Sequence, residues 1–130
     1  MLMVQEKGVS ILIVDDEEGM RETLVDILED LYQVEEASNG QEALCKVGER
    51  CYTLVLMDIK MPVMDGVEAL ERIKSSHPEL PVIMMTAYAD SSAVERARQG
   101  GAEAVVFKPL DMPKVLSLIE RVIRRTATVR

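Results

Sequence analysis

The chain has 130 residues, 48% of them hydrophobic and 29% charged, with a formal net charge of −8. That length suits one domain with a proper core, and that composition argues against disorder. With one Phe, three Tyr, no Trp and an acidic balance, base-stacking platforms and direct docking on a phosphate backbone are not expected.

No run reaches the ~20 apolar residues of a membrane span. The first residues lack the basic-then-apolar pattern of an export signal. The reading is therefore a soluble, cytoplasmic protein without a membrane partner. Cys45 and Cys51 then read as free thiols rather than a disulfide. The only histidine, His77, is distant and no CxxC occurs, so a thiolate metal site is not expected.

Residues 9–14 are apolar except for Ser10 and stop at Asp15-Asp16-Glu17, which predicts a buried strand ending in acid. A helix follows, with Met20, Leu24, Ile27, Leu28 and Leu31 on one apolar face and Arg21, Glu22, Asp26 and Glu29 on its far side. Residues 32–37 form a more polar strand, placed at a sheet edge. Ser38-Asn39-Gly40 marks a turn, and 41–50 a helix with Ala43, Leu44 and Val47 inward.

A third strand over 53–57 is a continuous apolar run that ends at Asp58. Pro62 lies in the loop beyond it, and Asp65 caps a helix over 66–75 with Val67, Leu70 and Ile73 inward. His77-Pro78 stops that helix, because the residue before a proline resists helical geometry. Residues 81–85 form a fourth apolar strand, ending at Thr86-Ala87. A helix over 91–99 has only Ala93, Val94 and Ala97 to bury, so its grip on the core should be weak. Gly100-Gly101 ends it. A fifth strand over 103–107 precedes Lys108-Pro109, and a helix over 113–125 closes the chain with Val115, Leu116, Leu118, Ile119, Val122 and Ile123 inward.

Strands alternating with helices predict an α/β fold, a parallel sheet covered on both faces. Right-handed crossovers bring the carboxyl ends of parallel strands to one edge, where open α/β folds place their ligands. Asp15, Asp16, Asp58, Thr86 and Lys108 should therefore converge. Crowded carboxylates repel unless a cation neutralises them. An oxygen-only donor set without His or thiolate suits Mg2+. A carboxylate nucleophile attacking phosphorus forms an aspartyl phosphate. Lys108 and Thr86 would supply an ammonium and a hydroxyl to the phosphoryl oxygens.

Each of these residues also has a simpler explanation. Asp15-Asp16 could only cap a helix, Asp65 reads as a cap and nothing more, and His77 as a surface residue. Met57, Met61, Met64, Met84 and Met85 read as packing rather than a copper site.

From Ser10 to about Arg124 the chain resembles the receiver domain of bacterial two-component response regulators. The resemblance is carried by Asp15-Asp16, by Asp58-x-x-Met61-Pro62-x-Met64-Asp65-Gly66, by Thr86-Ala87 and by Lys108-Pro109, in this order and each at a strand end. It implies a flavodoxin-like (βα)5 three-layer sandwich of strand order 2-1-3-4-5. It also implies one receiver unit over 1–130, with a core at 9–124 and flexible ends at 1–8 and 126–130.

The resemblance further implies that Asp58 takes a phosphoryl group from a sensor histidine kinase or phosphotransfer protein. Asp16, Asp58 and the Lys60 carbonyl would bind Mg2+ or Mn2+ directly, and Asp15 through water. Thr86 and Lys108 would report the phosphoryl group to a surface built from 91–99, 103–107 and 113–125, which would serve an output domain, a partner protein or a second copy. The family's aromatic switch position falls on Val105, with Phe107 beside the lysine instead. Lys60 and Tyr88 flank the phosphoryl position, and their bulk is expected to hinder the hydrolytic water.

An enzyme, a flavin carrier and a binding module compete with this reading. An aspartyl-phosphate phosphohydrolase wants an Asp-x-Asp pair, but Asp58-Ile59-Lys60 lacks the general acid. A flavin carrier wants a Ser/Thr/Gly-rich loop after the first strand, where Asp15-Asp16-Glu17 stands. A phosphorylation-independent interaction module would not need the full set of site residues.

Overall fold

The structure is a computed structural model and describes residues 8–87 and 91–128. The elements run β1 (Ser10–Val14), α1 (Glu18–Leu28), β2 (Gln33–Ala37), α2 (Gly40–Glu49), β3 (Leu54–Asp58), α3 (Gly66–Ser76), β4 (Val82–Thr86), α4 (Ser91–Gln99), β5 (Ala104–Phe107) and α5 (Met112–Thr128). The strands form one parallel sheet of order β2-β1-β3-β4-β5, the order that the family resemblance implied.

The unbroken apolar runs of β1, β3 and β4 follow from burial on both faces. Strand side chains alternate between faces. Leu12, Val14, Val55, Met57, Val82 and Met84 thus pack with Ala43, Val47, Leu70 and Ala97 of α2, α3 and α4. Ile11, Ile13, Leu54, Leu56, Ile83 and Met85 pack with Leu24, Leu28, Ile119 and Val122 of α1 and α5. β2 is half-buried and lies at an edge, as its polar sequence predicts.

Local signals set the helix starts. Asn39 accepts a hydrogen bond from the Glu42 amide at 2.8 Å, and the Glu42 carboxylate reaches back to the Ser38 amide at 2.7 Å. Asp65 caps α3 by accepting from the Glu68 amide at 2.9 Å. On the solvent side of α3, Arg72 lies 2.8 Å from Glu68, an i,i+4 ion pair. Gly101 takes φ +102 at the end of α4, a conformation that suits a residue without Cβ.

Several boundaries differ from the sequence expectation. α1 stops at Leu28, so Leu31 packs from the following turn, and Tyr32 is buried just before β2 rather than in it. Thr86 closes β4 instead of following it. α5 begins at Met112 and extends to Thr128. Arg21 does not lie on a wet far face of α1. Its side chain is only 15% exposed and folds back onto the sheet edge.

Candidate functional site

The carboxyl ends of β1, β3 and β5 deliver Asp15, Asp58 and Lys108 to one point. Lys108 Nζ lies 3.0 Å from Asp15 Oδ2 and 3.3 Å from Asp58 Oδ2. Strand alternation explains the meeting. Asp58 shares its face with Leu54 and Leu56, and continuing the alternation past β1 puts Asp15 with Ile11 and Ile13. Asp15 is fully buried and Asp58 nearly so, whereas Asp16 is exposed.

Asp15 is fully engaged by the protein. Its Oδ1 accepts the Glu17 amide at 2.9 Å while its Oδ2 accepts Lys108. The simple helix-cap explanation therefore fails in its strict form: Glu17 occupies the cap position of α1 and makes no side-chain cap bond. Asp16 adds a third carboxylate, and oxygens of Asp15, Asp16 and Asp58 lie within 4.8 Å of one another. Three hard oxygen donors without imidazole or thiolate fit a hard divalent cation and suit neither copper nor a structural zinc. The acidic pocket could hold a metal.

The electrostatics follow from this crowding. Burial, and then the charge of Asp15, push the Asp58 carboxyl above the usual range, while Lys108 and the Lys60 amide oppose the shift. Burial works against the Lys108 ammonium, but the hydrogen bond to Asp15 and the charges of Asp58 and Asp15 outweigh it and raise its pKa. The cluster without a cation is thus a strained charge set with more anions than cations.

Backbone geometry holds the loop after β3 against the reactive carboxylate. The Gly66 amide donates to the Ile59 carbonyl at 2.6 Å, and a Cβ on Gly66 would stand 2.1 Å from the Asp58 carbonyl oxygen. Val63 lies at the loop tip with φ 72, bridged by a bond from the Met64 amide to the Pro62 carbonyl at 2.7 Å. It is 82% exposed.

Thr86 is buried and stands one position beyond Met85, the register partner of Asp58. Its carbonyl accepts the Lys108 amide at 2.8 Å. Thr86 continues the β4 face of Val82 and Met84, so it lies on the α2–α3–α4 side of the sheet, opposite to Asp58. Val105 is half-buried on that same side, in register with Met84. Phe107 pairs with Thr86 and is 48% exposed. Lys60 is exposed; Tyr88 lies outside the described residues. The Lys108–Pro109 peptide is cis.

Cys45 and Cys51 are free and exposed. His77 is half-buried beside Ser76, far from the acids. A cavity of about 720 Å3 opens at the opposite edge of the sheet, between Tyr52, His77, Pro81 and Ile123. It lacks the carboxylate cluster. Among the described residues, no helix is long and apolar enough to cross a membrane.

The sequence reading missed Arg21, which donates from Nη1 to the Asp15 carbonyl at 2.7 Å and from Nε to Glu36 at 3.1 Å. Helical spacing puts residue 21 three and seven positions before the buried Leu24 and Leu28, on the border of the apolar stripe, and the length of arginine then carries its guanidinium to the sheet edge.

Comparison with known proteins agrees with this architecture. A family model described as the response regulator receiver domain matches residues 11–120. The chemotaxis protein CheY of Halobacterium salinarum is 38% identical over 114 residues, covering 87% of this chain and 95% of that protein. The transcriptional regulatory protein ZraR of Klebsiella oxytoca is 40% identical over 119 residues, which are 91% of this chain but only 27% of the longer regulator. A crystal structure of a CheY-like receiver domain protein from Methanospirillum hungatei JF-1 superposes with a TM-score of 0.91 at 32% identity, covering 94% of this chain and 98% of that one.

Proposed function

The chain belongs to the response regulator receiver domain family of two-component signalling, and from that premise we propose that Asp58 accepts a phosphoryl group from a phosphohistidine. The donor is a sensor histidine kinase or a phosphotransfer protein. The observation that carries this reading is the meeting of Asp15, Asp16 and Asp58 within 4.8 Å, with Lys108 bridging two of them.

An oxygen of Asp58 attacks phosphorus in line as the P–N bond to the donor imidazole breaks. The bonding pair stays on the ring nitrogen, which takes up a proton, and an aspartyl phosphate is left on the receiver. Asp16, Asp58 and the Lys60 carbonyl would hold Mg2+ or Mn2+, with Asp15 acting through water. Such a cation, when bound, would supply positive charge near the phosphoryl oxygens and offset the repulsion among the carboxylates. Lys108, already aimed at Asp58, moves its ammonium to a phosphoryl oxygen, and Thr86 donates its hydroxyl to another.

The added group brings roughly −1.5 to −2 charges. Thr86 and Val105 lie on the face that α4 covers, so movement of Thr86 toward the phosphoryl group alters the packing beneath α4, β5 and α5. α4 anchors there through the small side chains Ala93 and Ala97. We read that surface as the output, serving an attached domain, a partner protein or a second copy, with no nucleic acid bound by this unit itself. Residues 9–124 form the receiver unit, which works in the cytoplasm as a signalling switch rather than a turnover enzyme.

Incubation with acetyl phosphate and Mg2+, followed by intact mass, tests the proposal. A gain of one phosphoryl group that Asp58→Ala abolishes is expected. No adduct on the wild-type protein would overturn it.

A further inference from the structure

We propose that Arg21 is a positioning residue for the acidic cluster, acting through the peptide that joins Asp15 to Asp16; the proposal rests on the cation-assisted reading of the site given above.

Asp15 is gripped at four polar atoms. Its amide donates to Ala37 at 3.1 Å, its two carboxylate oxygens take Glu17 and Lys108, and its carbonyl takes Arg21 at 2.7 Å. The first three contacts place the buried carboxylate of Asp15. The fourth does something different, because the Asp15 carbonyl belongs to the planar peptide that carries the amide and Cα of Asp16. Fixing that oxygen fixes the plane and therefore the direction in which Asp16 leaves the strand end. The Asp16 side chain is exposed and has no hydrogen-bond or ion-pair partner of its own among the described residues. Its place in the cluster depends on the backbone that Arg21 holds.

The fork of the guanidinium makes this possible. Nη1 reaches the carbonyl while Nε pairs with Glu36 at 3.1 Å. Glu36 sits on β2, and Lys46 of α2 in turn donates to its carbonyl. Arg21 thereby ties the β1–α1 turn to the neighbouring strand. A single ammonium lacks the planar two-pronged geometry needed to hold both partners.

A cation site discriminates geometry from charge by the sign of the effect. A guanidinium acting only as a nearby positive charge would repel a divalent cation, and its removal would tighten Mg2+ binding. A guanidinium that aims Asp16 has the opposite effect, and groups that orient metal ligands typically change affinity by about 10- to 100-fold.

Mg2+ titration followed by amide 1H–15N signals, in wild type, Arg21→Gln, Arg21→Lys and Glu36→Gln, separates the two. Arg21→Gln is expected to raise the Mg2+ dissociation constant about tenfold. Arg21→Lys should fail to restore it, and the metal-free signals of residues 16–18 should shift in both variants. Unchanged or tighter Mg2+ binding by folded Arg21→Gln overturns the proposal. Should that variant not fold, Glu36→Gln, which leaves the bond to the carbonyl but loosens its tether, decides in its place: weaker Mg2+ binding supports the role and unchanged binding overturns it. Wild-type protein that binds no Mg2+ at all would instead sink the reading of the site itself.

Discussion

Lys108 Nζ and the carboxylate of Asp15, 93 positions apart in the chain, meet at 3.0 Å at a sheet edge where Asp15 has no exposure to solvent. The same ammonium lies 3.3 Å from Asp58. One cation thus serves two buried anions, and its loss is felt twice.

Lys108→Ala should therefore destabilise the metal-free protein by about 3 kcal/mol, since it leaves buried carboxylates facing each other without a partner. Urea unfolding with and without millimolar Mg2+ checks this. The deficit should shrink when Mg2+ is present, because a cation at the carboxylates replaces part of the missing charge.

Asp58 has the opposite sign. Its pKa is raised by burial and by Asp15, so the folded state holds the proton more tightly than the unfolded chain, where the value is about 3.9. Wild-type stability then falls as pH rises from about 4 through the raised folded pKa. Asp58→Asn, lacking that charge, should melt a few degrees higher than wild type at pH 7 without metal. The advantage should disappear near pH 3. Equal melting temperatures at both pH values would contradict the shift.

Gly66 is required by space, not by a left-handed backbone. A Cβ there would stand 2.1 Å from the Asp58 carbonyl oxygen and 2.8 Å from the Ile59 Cα. Neither is the end of a flexible side chain, so Gly66→Ala must push the loop away from β3. A loss of about 3 kcal/mol in urea unfolding is expected, together with slower phosphorylation by acetyl phosphate.

Val63 offers a gain. A β-branched residue at φ 72 costs about 1–2 kcal/mol, and at 82% exposure it buries little in return. Val63→Gly removes the steric cost but adds freedom to the unfolded chain. A net stabilisation of about 0.5–1 kcal/mol is expected from denaturant midpoints.

Lys60 stands exposed two positions beyond Asp58. If its bulk screens the phosphoryl group from water, Lys60→Ala shortens the lifetime of the aspartyl phosphate. Loss of the phosphorylated mass with time after donor removal measures this, and an unchanged lifetime would rule out the screening role.

Much of this is legible in the sequence. Continuous apolar runs such as 54–57 read as strands buried on both faces, and runs that end in Asp15, Asp58 or Thr86 point to the edge at which open α/β folds place their sites. Boundaries were less legible. The apolar spacing that extended α1 to Leu31 persists in a turn, because Leu31 and Tyr32 bury against the same face from a different backbone.

The chemical groups and the edge they share are readable from the chain alone. Period and run length are properties of neighbours along the chain, and they survive without any knowledge of the partner strands. Which groups touch depends on the folded arrangement. Lys108 pairs with both Asp15 and Asp58, Asp15 is sealed while Asp16 faces solvent, and Arg21 returns from a helix face that looked wet to grip the Asp15 carbonyl. Those facts depend on strand order, on which side of the pleat each end residue falls, and on the reach of long side chains. Spacing along a single strand gives only which residues share a face; the order of the strands and the reach of long side chains are not encoded in it.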